Sequence, residues 1–266
     1  MIFALPLYDD NPIRRPPVVT WTLIGMCVGA YLWELGQDQE AVDFQYGMIP
    51  AVLFGNALLP LHLAAIPPWA TIFTSMFLHG GLLHLGGNML FLWIFGNNIE
   101  DVLGGARYLL LYLVSGVAAA LTQALPDTAS EIPMIGASGA IAGVLGAYLM
   151  LYPRANVHVF VWIIIFFRII NLPAWLMLGL WFLMQLVSGL AAGAQSPGVA
   201  FWAHVGGFVT GMALIALLRP RDVQLLHPQR SAAFQTAPPA ALSGRRTFHG
   251  SVPESGDPFR PGPPWG

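Results

Sequence analysis

Six stretches of the chain run almost without polar interruption: Val18 to Leu35, Leu82 to Ile99, Arg107 to Leu125, Gly136 to Tyr152, Pro173 to Ala192 and Val199 to Leu218. A helix crossing the hydrocarbon core of a bilayer needs about 20 mostly apolar residues, range ~17 to 25, and all six runs meet that length. They predict six transmembrane helices. A seventh run, Val157 to Phe167, reaches Arg168 too soon; as a helix it would extend only about 16 Å, which predicts an element lying at the interface or half inserted. Beyond Arg219 the pattern stops: proline, serine, alanine, glycine and arginine alternate without a helical period up to Gly266, as expected of a disordered tail. The predicted organisation is an N-terminal cytoplasmic segment over 1–17, a membrane domain over 18–219 and a tail over 220–266. The predicted fold class is all-α, a polytopic six-helix bundle.

Composition agrees with lipid as the solvent. Hydrophobic residues make up 56% of the chain and charged residues 9%, against about 25% charged in an ordinary soluble domain. The basic residues are all arginine, and their placement sets a topology. With the N-terminus in the cytosol, Arg14, Arg15, Arg107, Arg154, Arg168, Arg219 and Arg221 fall on the cytoplasmic side, while the outer loops after the first, third and fifth runs hold none. That bias favours six spans with both termini inside, in the plasma or inner membrane. If Val157 to Phe167 spanned as well, Arg168 and the arginine-bearing tail would lie outside, against the bias. The single cysteine, Cys27, has no partner in the chain and reads as buried filler. The opening MIFALPLYDDNPIRRPP is too acidic and too short in apolar residues for a signal peptide.

Polar side chains inside spans are costly and are candidates for function. Four stand out: His84 and Asn88 in the second run, Ser138 at the head of the fourth, and His204 in the sixth. Ser138 precedes Pro153, and His204 precedes Arg219, by the same number of residues, so both sit about 22 Å above the cytoplasmic boundary. Counting back from Glu100 puts His84 and Asn88 at about 24 and 18 Å, bracketing that level. Small residues line both faces, with Ala142 and Gly146 below Ser138 and Gly207 and Gly211 below His204, a pattern that lets membrane helices approach closely. A histidine within about 2.6 to 3.2 Å of a serine hydroxyl can act as its base. No Asp or Glu lies at this depth in the second to sixth runs, which points to a dyad. Asn88 and His84, one turn apart, could donate N–H groups to an oxyanion beside the backbone N–H of Ser138.

GASGAIAG (Gly136 to Gly143), FLHGGLLHLGGNM (Phe77 to Met89) and AHVGGFVTG (Ala203 to Gly211) together resemble the motifs of rhomboid intramembrane serine proteases of bacterial type, with GNNIEDVLG (Gly96 to Gly104) resembling their cytoplasmic turn. The resemblance covers Val18 to about Leu218. It implies a six-helix bundle whose short fourth helix begins at the serine beneath an outward-facing, water-filled cavity. It further implies Ser138 as nucleophile, His204 as general base, His84 and Asn88 in the oxyanion site, and a positioning role for His79. The expected activity is cleavage of other transmembrane proteins in or near their membrane segments. The lipid bilayer and such substrates are the expected partners, with no cofactor, metal or nucleic acid. Two positions depart from the family pattern: Ala142 stands where many members carry an aromatic residue, and Trp69 is followed by Ala70 instead of arginine. Three other readings compete. A non-cleaving rhomboid-like binder is disfavoured because serine and histidine are both kept, a transporter because no inverted repeat or intramembrane carboxylate is seen, and a zinc protease because no H-E-x-x-H occurs.

Overall fold

Helices form where the chain runs apolar, because a backbone away from water must satisfy its own N–H and C=O groups. The structure is a computed structural model that describes residues 2–163, 166–192 and 199–226. Its helices are α1 (Val18–Glu34), α2 (Gln39–Tyr46), α3 (Pro50–Leu53), α4 (Pro68–Thr74), α5 (Leu82–Phe91), α6 (Asn97–Leu103), α7 (Gly105–Ala124), α8 (Ser138–Leu151), α9 (Ala174–Ala192) and α10 (Phe201–Leu218). A π turn, Leu92–Gly96, joins α5 to α6. Gly105–Ala124, Ala174–Ala191 and Phe201–Leu218 are long and apolar enough to cross a membrane, and Val18–Glu34 and Ser138–Leu151 are shorter apolar helices. The chain is a membrane protein.

α8 is the hub, buried along nearly its whole length between α7 and α10. Glycines make that possible. A Cβ on Gly207 would strike the Gly139 carbonyl oxygen, and one on Gly211 the Gly143 carbonyl oxygen, so α8 and α10 touch backbone to backbone. On the other face of α8, Gly143 meets Ser115 and Gly139 meets Ala119, both on α7. Small residues permit such closeness because nothing projects between the axes.

The end of the bundle opposite the N-terminus of α8 is tied together by carboxylates. α1 has no side-chain cap of its own. Glu100 of α6 takes that role: Oε1 accepts from the Val19 N–H at 2.8 Å, and Oε2 accepts from both the N–H and the hydroxyl of Thr20. A carboxylate there satisfies orphan donors and meets the positive end of the helix dipole. Asp101 accepts from the N–H groups of Arg14 and Arg15. The acidic pair thus anchors the segment that leads into α1.

Two expectations are corrected at this end. The run Val157 to Phe167 is not an interfacial or half-inserted helix, and the fold is not all-α. The described residues of that run, 157–163 and 166–167, lie in a three-stranded antiparallel sheet, in the order β1 (Ile2–Asp9), β2 (Asn156–Ile163), β3 (Phe166–Pro173). The register runs from Ile2↔Ile163 to Asp9↔Val157 between β1 and β2, with an irregularity between Pro6 and Tyr8. Val157 and Val159 are buried, whereas Trp162, near the end of β2, is exposed. Alternating β-branched residues favour a pleated strand with one buried face. They pair on one side with β3 and on the other with the N-terminal segment, whose strand β1 completes the sheet. Order also continues past Arg219: Val223 and Leu225 pack against the core, and the Leu226 N–H donates to the Met150 carbonyl. The rest of the predicted tail, 227–266, lies outside the described residues.

Asp9, the last residue of β1, docks the sheet onto the helices. Its Oδ2 accepts from the Tyr148 hydroxyl of α8, from Asn98 Nδ2 of α6 at 3.0 Å and from Asn11 Nδ2. Burial lifts the Asp9 carboxyl from 3.8 to about 6, and the three hydrogen bonds only partly oppose that rise.

Candidate active site

Ser138 is the first residue of α8. That placement follows from the turn before it: Gly136 has φ +121°, a conformation that side-chain-bearing residues rarely adopt. Its N–H donates to the Ser75 carbonyl at 2.8 Å, pinning the loop to the end of α4. The same loop is held by the Met48↔Met134 bridge and by the Ala51 N–H donating to Ser130. These bonds order the region between α1 and α5 without the missing arginine after Trp69, which is exposed on α4. As first residue of a helix, Ser138 also presents a backbone N–H that has no intrahelical partner.

His204 stands in the first turn of α10. The Ala203 N–H beside it donates to Gln123 Oε1 of α7, which satisfies one donor of that turn. The Ser138 hydroxyl donates to His204 Nε2 at 2.8 Å, inside the range for proton abstraction. His84 and Asn88 rise from α5 on the facing side. A Cβ on Gly136 would lie 2.8 Å from His84 Cε1 and Nε2, and 3.8 Å from Asn88 Nδ2, so both side chains abut the turn that carries the serine. Asn88 is 8% exposed, and its Nδ2 has no partner among the described residues. A buried donor without an acceptor is costly unless something arrives to accept from it.

All four residues singled out in the sequence line one cavity of about 720 Å³, walled also by Trp181 and Gln123. His79 is outside this wall. It is fully buried, its N–H donates to Glu34 of α1, its Nδ1 donates to the Phe77 carbonyl, and its ring stands 5.2 Å edge-on from that of His84. It braces His84 and closes the loop onto α1.

A family model described as the Rhomboid domain matches residues 67–221, more than half of the chain. The chain belongs to the rhomboid family. Three relatives show how widely the resemblance runs. The chain is 40% identical over 95 residues to Rhomboid protein 1, mitochondrial, of Saccharomyces cerevisiae, covering 34% of this chain and 28% of that one. It is 34% identical over 155 residues to RHOMBOID-like protein 5 of Arabidopsis thaliana, covering 58% and 45%. It is 31% identical over 140 residues to the Putative rhomboid protease YdcA of Bacillus subtilis, covering 52% and 64%. In each case the match spans less than two thirds of the relative. Mitochondrial, plant and bacterial proteins all match, so the family is shown and a bacterial subtype is not singled out.

Two residues of this rhomboid site were not found by reading the sequence. Gln185 of α9 accepts the Nδ1–H of His204 on Oε1 at 2.8 Å. Trp181, one turn earlier, sets its ring 5.7 Å from the imidazole at 39°. The only signal was a lone amide in an otherwise apolar run. A search confined to acidic partners passes over it.

Proposed function

We propose that this rhomboid protein is an intramembrane serine endopeptidase that cleaves other membrane proteins in or near their transmembrane segments. The observation that carries the reading is the 2.8 Å bond from the Ser138 hydroxyl to His204 Nε2, made inside a cavity large enough for an unwound peptide. His204 takes the hydroxyl proton as Ser138 Oγ attacks the scissile carbonyl, then returns it to the leaving amine. The negative charge that develops on the carbonyl oxygen is met by the Ser138 N–H, the Asn88 amide and His84. Water, deprotonated by the same imidazole, hydrolyses the acyl-enzyme. The unpartnered Nδ2 of Asn88 supports an acceptor arriving only with substrate.

The same proposal includes six spans, counting the continuous segment from Leu82 to Leu103 as one, both termini in the cytosol, and residence in the plasma or inner membrane. The cavity then opens outward, and the cut falls near the outer end of the substrate helix. A peptide bond within a helix is shielded by its own hydrogen bonds, so substrates that unwind easily near the cut are preferred. Purified full-length chain in proteoliposomes, mixed with a single-span substrate, tests this. Cleavage lost in Ser138→Ala and unaffected by chelators is expected. Binding without cleavage by the wild-type chain, or a cut mapped to the cytoplasmic end, would overturn the proposal.

A further inference from the structure

α9 turns one face outward: Leu183 is 53% exposed, Met184 56% and Val187 55%. Gln185 points the other way and is 6% exposed. An amide in the middle of an apolar helix is tolerated where its polar atoms find partners. The partner is His204, whose Nδ1–H donates to Gln185 Oε1 at 2.8 Å while its Nε2 accepts from Ser138 at the same distance. Three helices therefore contribute one atom line, from Oγ on α8 through the imidazole on α10 to Oε1 on α9.

The chemistry of that line is directional. A neutral imidazole carries its proton on either nitrogen, and only the form protonated at Nδ1 leaves Nε2 free to take the serine proton. A carbonyl acceptor at Nδ1 selects that form and stops the ring from rotating. Trp181 covers one side of the ring and reaches on to Phe208 at 6.1 Å, locking α9 against α10. Ala142, fully buried on α8, is too small to do so.

We propose that Gln185 is the positioning residue of the catalytic base: its side-chain carbonyl sets the tautomer and the orientation of His204. The inference rests on the Ser138–His204 reading above and adds a third, uncharged member to it. Nothing is transferred to Gln185; it holds the Nδ1 proton in place while Nε2 gains and loses one.

The test uses full-length protein in micelles with a fluorogenic single-span substrate. Gln185→Met keeps the shape and removes the acceptor; Gln185→Glu keeps an acceptor and adds charge. For Gln185→Met, kcat should fall at least about 10-fold and at most about 10⁴-fold, the loss when the tautomer-setting partner of a catalytic histidine is removed, with KM and Tm close to wild type. The ¹⁵N spectrum of labelled histidine should show His204 no longer held in the Nδ1–H form. Gln185→Glu should recover turnover relative to Gln185→Met. It should also shift the acid limb of kcat/KM to higher pH, because a carboxylate at Nδ1 steadies the imidazolium. The other titratable groups around the ring are His84 on α5 and, on the cavity wall, Asp43 of α2 and Asp127 after α7; both proteins contain them, so they do not account for the shift. Wild-type kcat and an unchanged His204 spectrum in Gln185→Met would overturn the inference. If Gln185→Met fails to fold, an unmoved acid limb in folded Gln185→Glu overturns it instead, and a moved one supports it. Ser138→Ala separates the two levels. Cleavage persisting there removes the Ser138–His204 reading on which the inference rests, whereas cleavage abolished there with Gln185 variants unaffected removes Gln185 alone.

Discussion

Gly136→Ala adds one methyl group two residues before Ser138, and the structure says what that methyl meets. Its Cβ would lie 2.8 Å from both Cε1 and Nε2 of His84. Carbon contacts are most favourable at about 3.5 to 4.0 Å, so the ring or the turn must retreat by about 0.7 to 1.2 Å. The backbone cannot yield freely, because its φ of +121° is itself strained for alanine, at about 1 to 3 kcal/mol. Its N–H is also tied to Ser75. Displacements near 1 Å in a reacting constellation cost about 100-fold in rate. Initial rates in proteoliposomes should fall by that order, with labelling of Ser138 by a fluorophosphonate slowed in parallel and Tm lowered by several degrees. Gly86→Ala, on the same α5 helix as His84 but with nothing within 4 Å of the added methyl, serves as the control and should act like wild type. Wild-type rates in Gly136→Ala would refute the argument that this turn and His84 are held in contact.

His204→Ala should lose as much turnover as Ser138→Ala, because the two act as one unit; near-normal rates in a folded His204→Ala would reject the assigned base. Asn88→Ala should raise the barrier by about 2.7 to 4 kcal/mol, the usual effect of losing one oxyanion donor, with Tm retained, and full activity would remove Asn88 from that role. Asp9 makes stability depend on pH. Its carboxyl is raised from 3.8 to about 6 in the fold, so the folded chain keeps a proton that the unfolded chain releases between those values. This contribution is complete below 3.8, declines as pH rises, and is gone above 6. Between pH 5 and 8 it amounts to about 1.4 kcal/mol, which Asp9→Asn should abolish, flattening Tm over that interval; an equal Tm drop in the variant would sink the account.

Much of the site was readable one residue at a time. A rise of 1.5 Å per residue let the distance from Ser138 to Pro153 be compared with that from His204 to Arg219, and the structure brings that serine and histidine together. Gly207 and Gly211 were legible as a close-packing stripe for the same reason, since a helix face repeats along the chain. The sheet was not read because Val157 to Phe167 was judged by length and hydrophobicity. The two-residue alternation of Val157, Val159 and Val161 carried the strand signal, and length could not reveal that β1 at the far end of the chain would pair with it.

The amino-acid order alone determined which stretches become apolar helices and at what height along each the polar side chains sit, because both depend on local composition and a constant helical rise. Tertiary structure decided which way each helix faces its neighbours. A rotation of α9 about its axis would send Gln185 outward and leave His204 Nδ1 without its acceptor, with no residue changed. The same holds for Asp9 at the end of β1, whose partners come from α6 and α8 at once. Contacts between segments distant in sequence depend on packing between surfaces, and those surfaces exist only once the chain has folded.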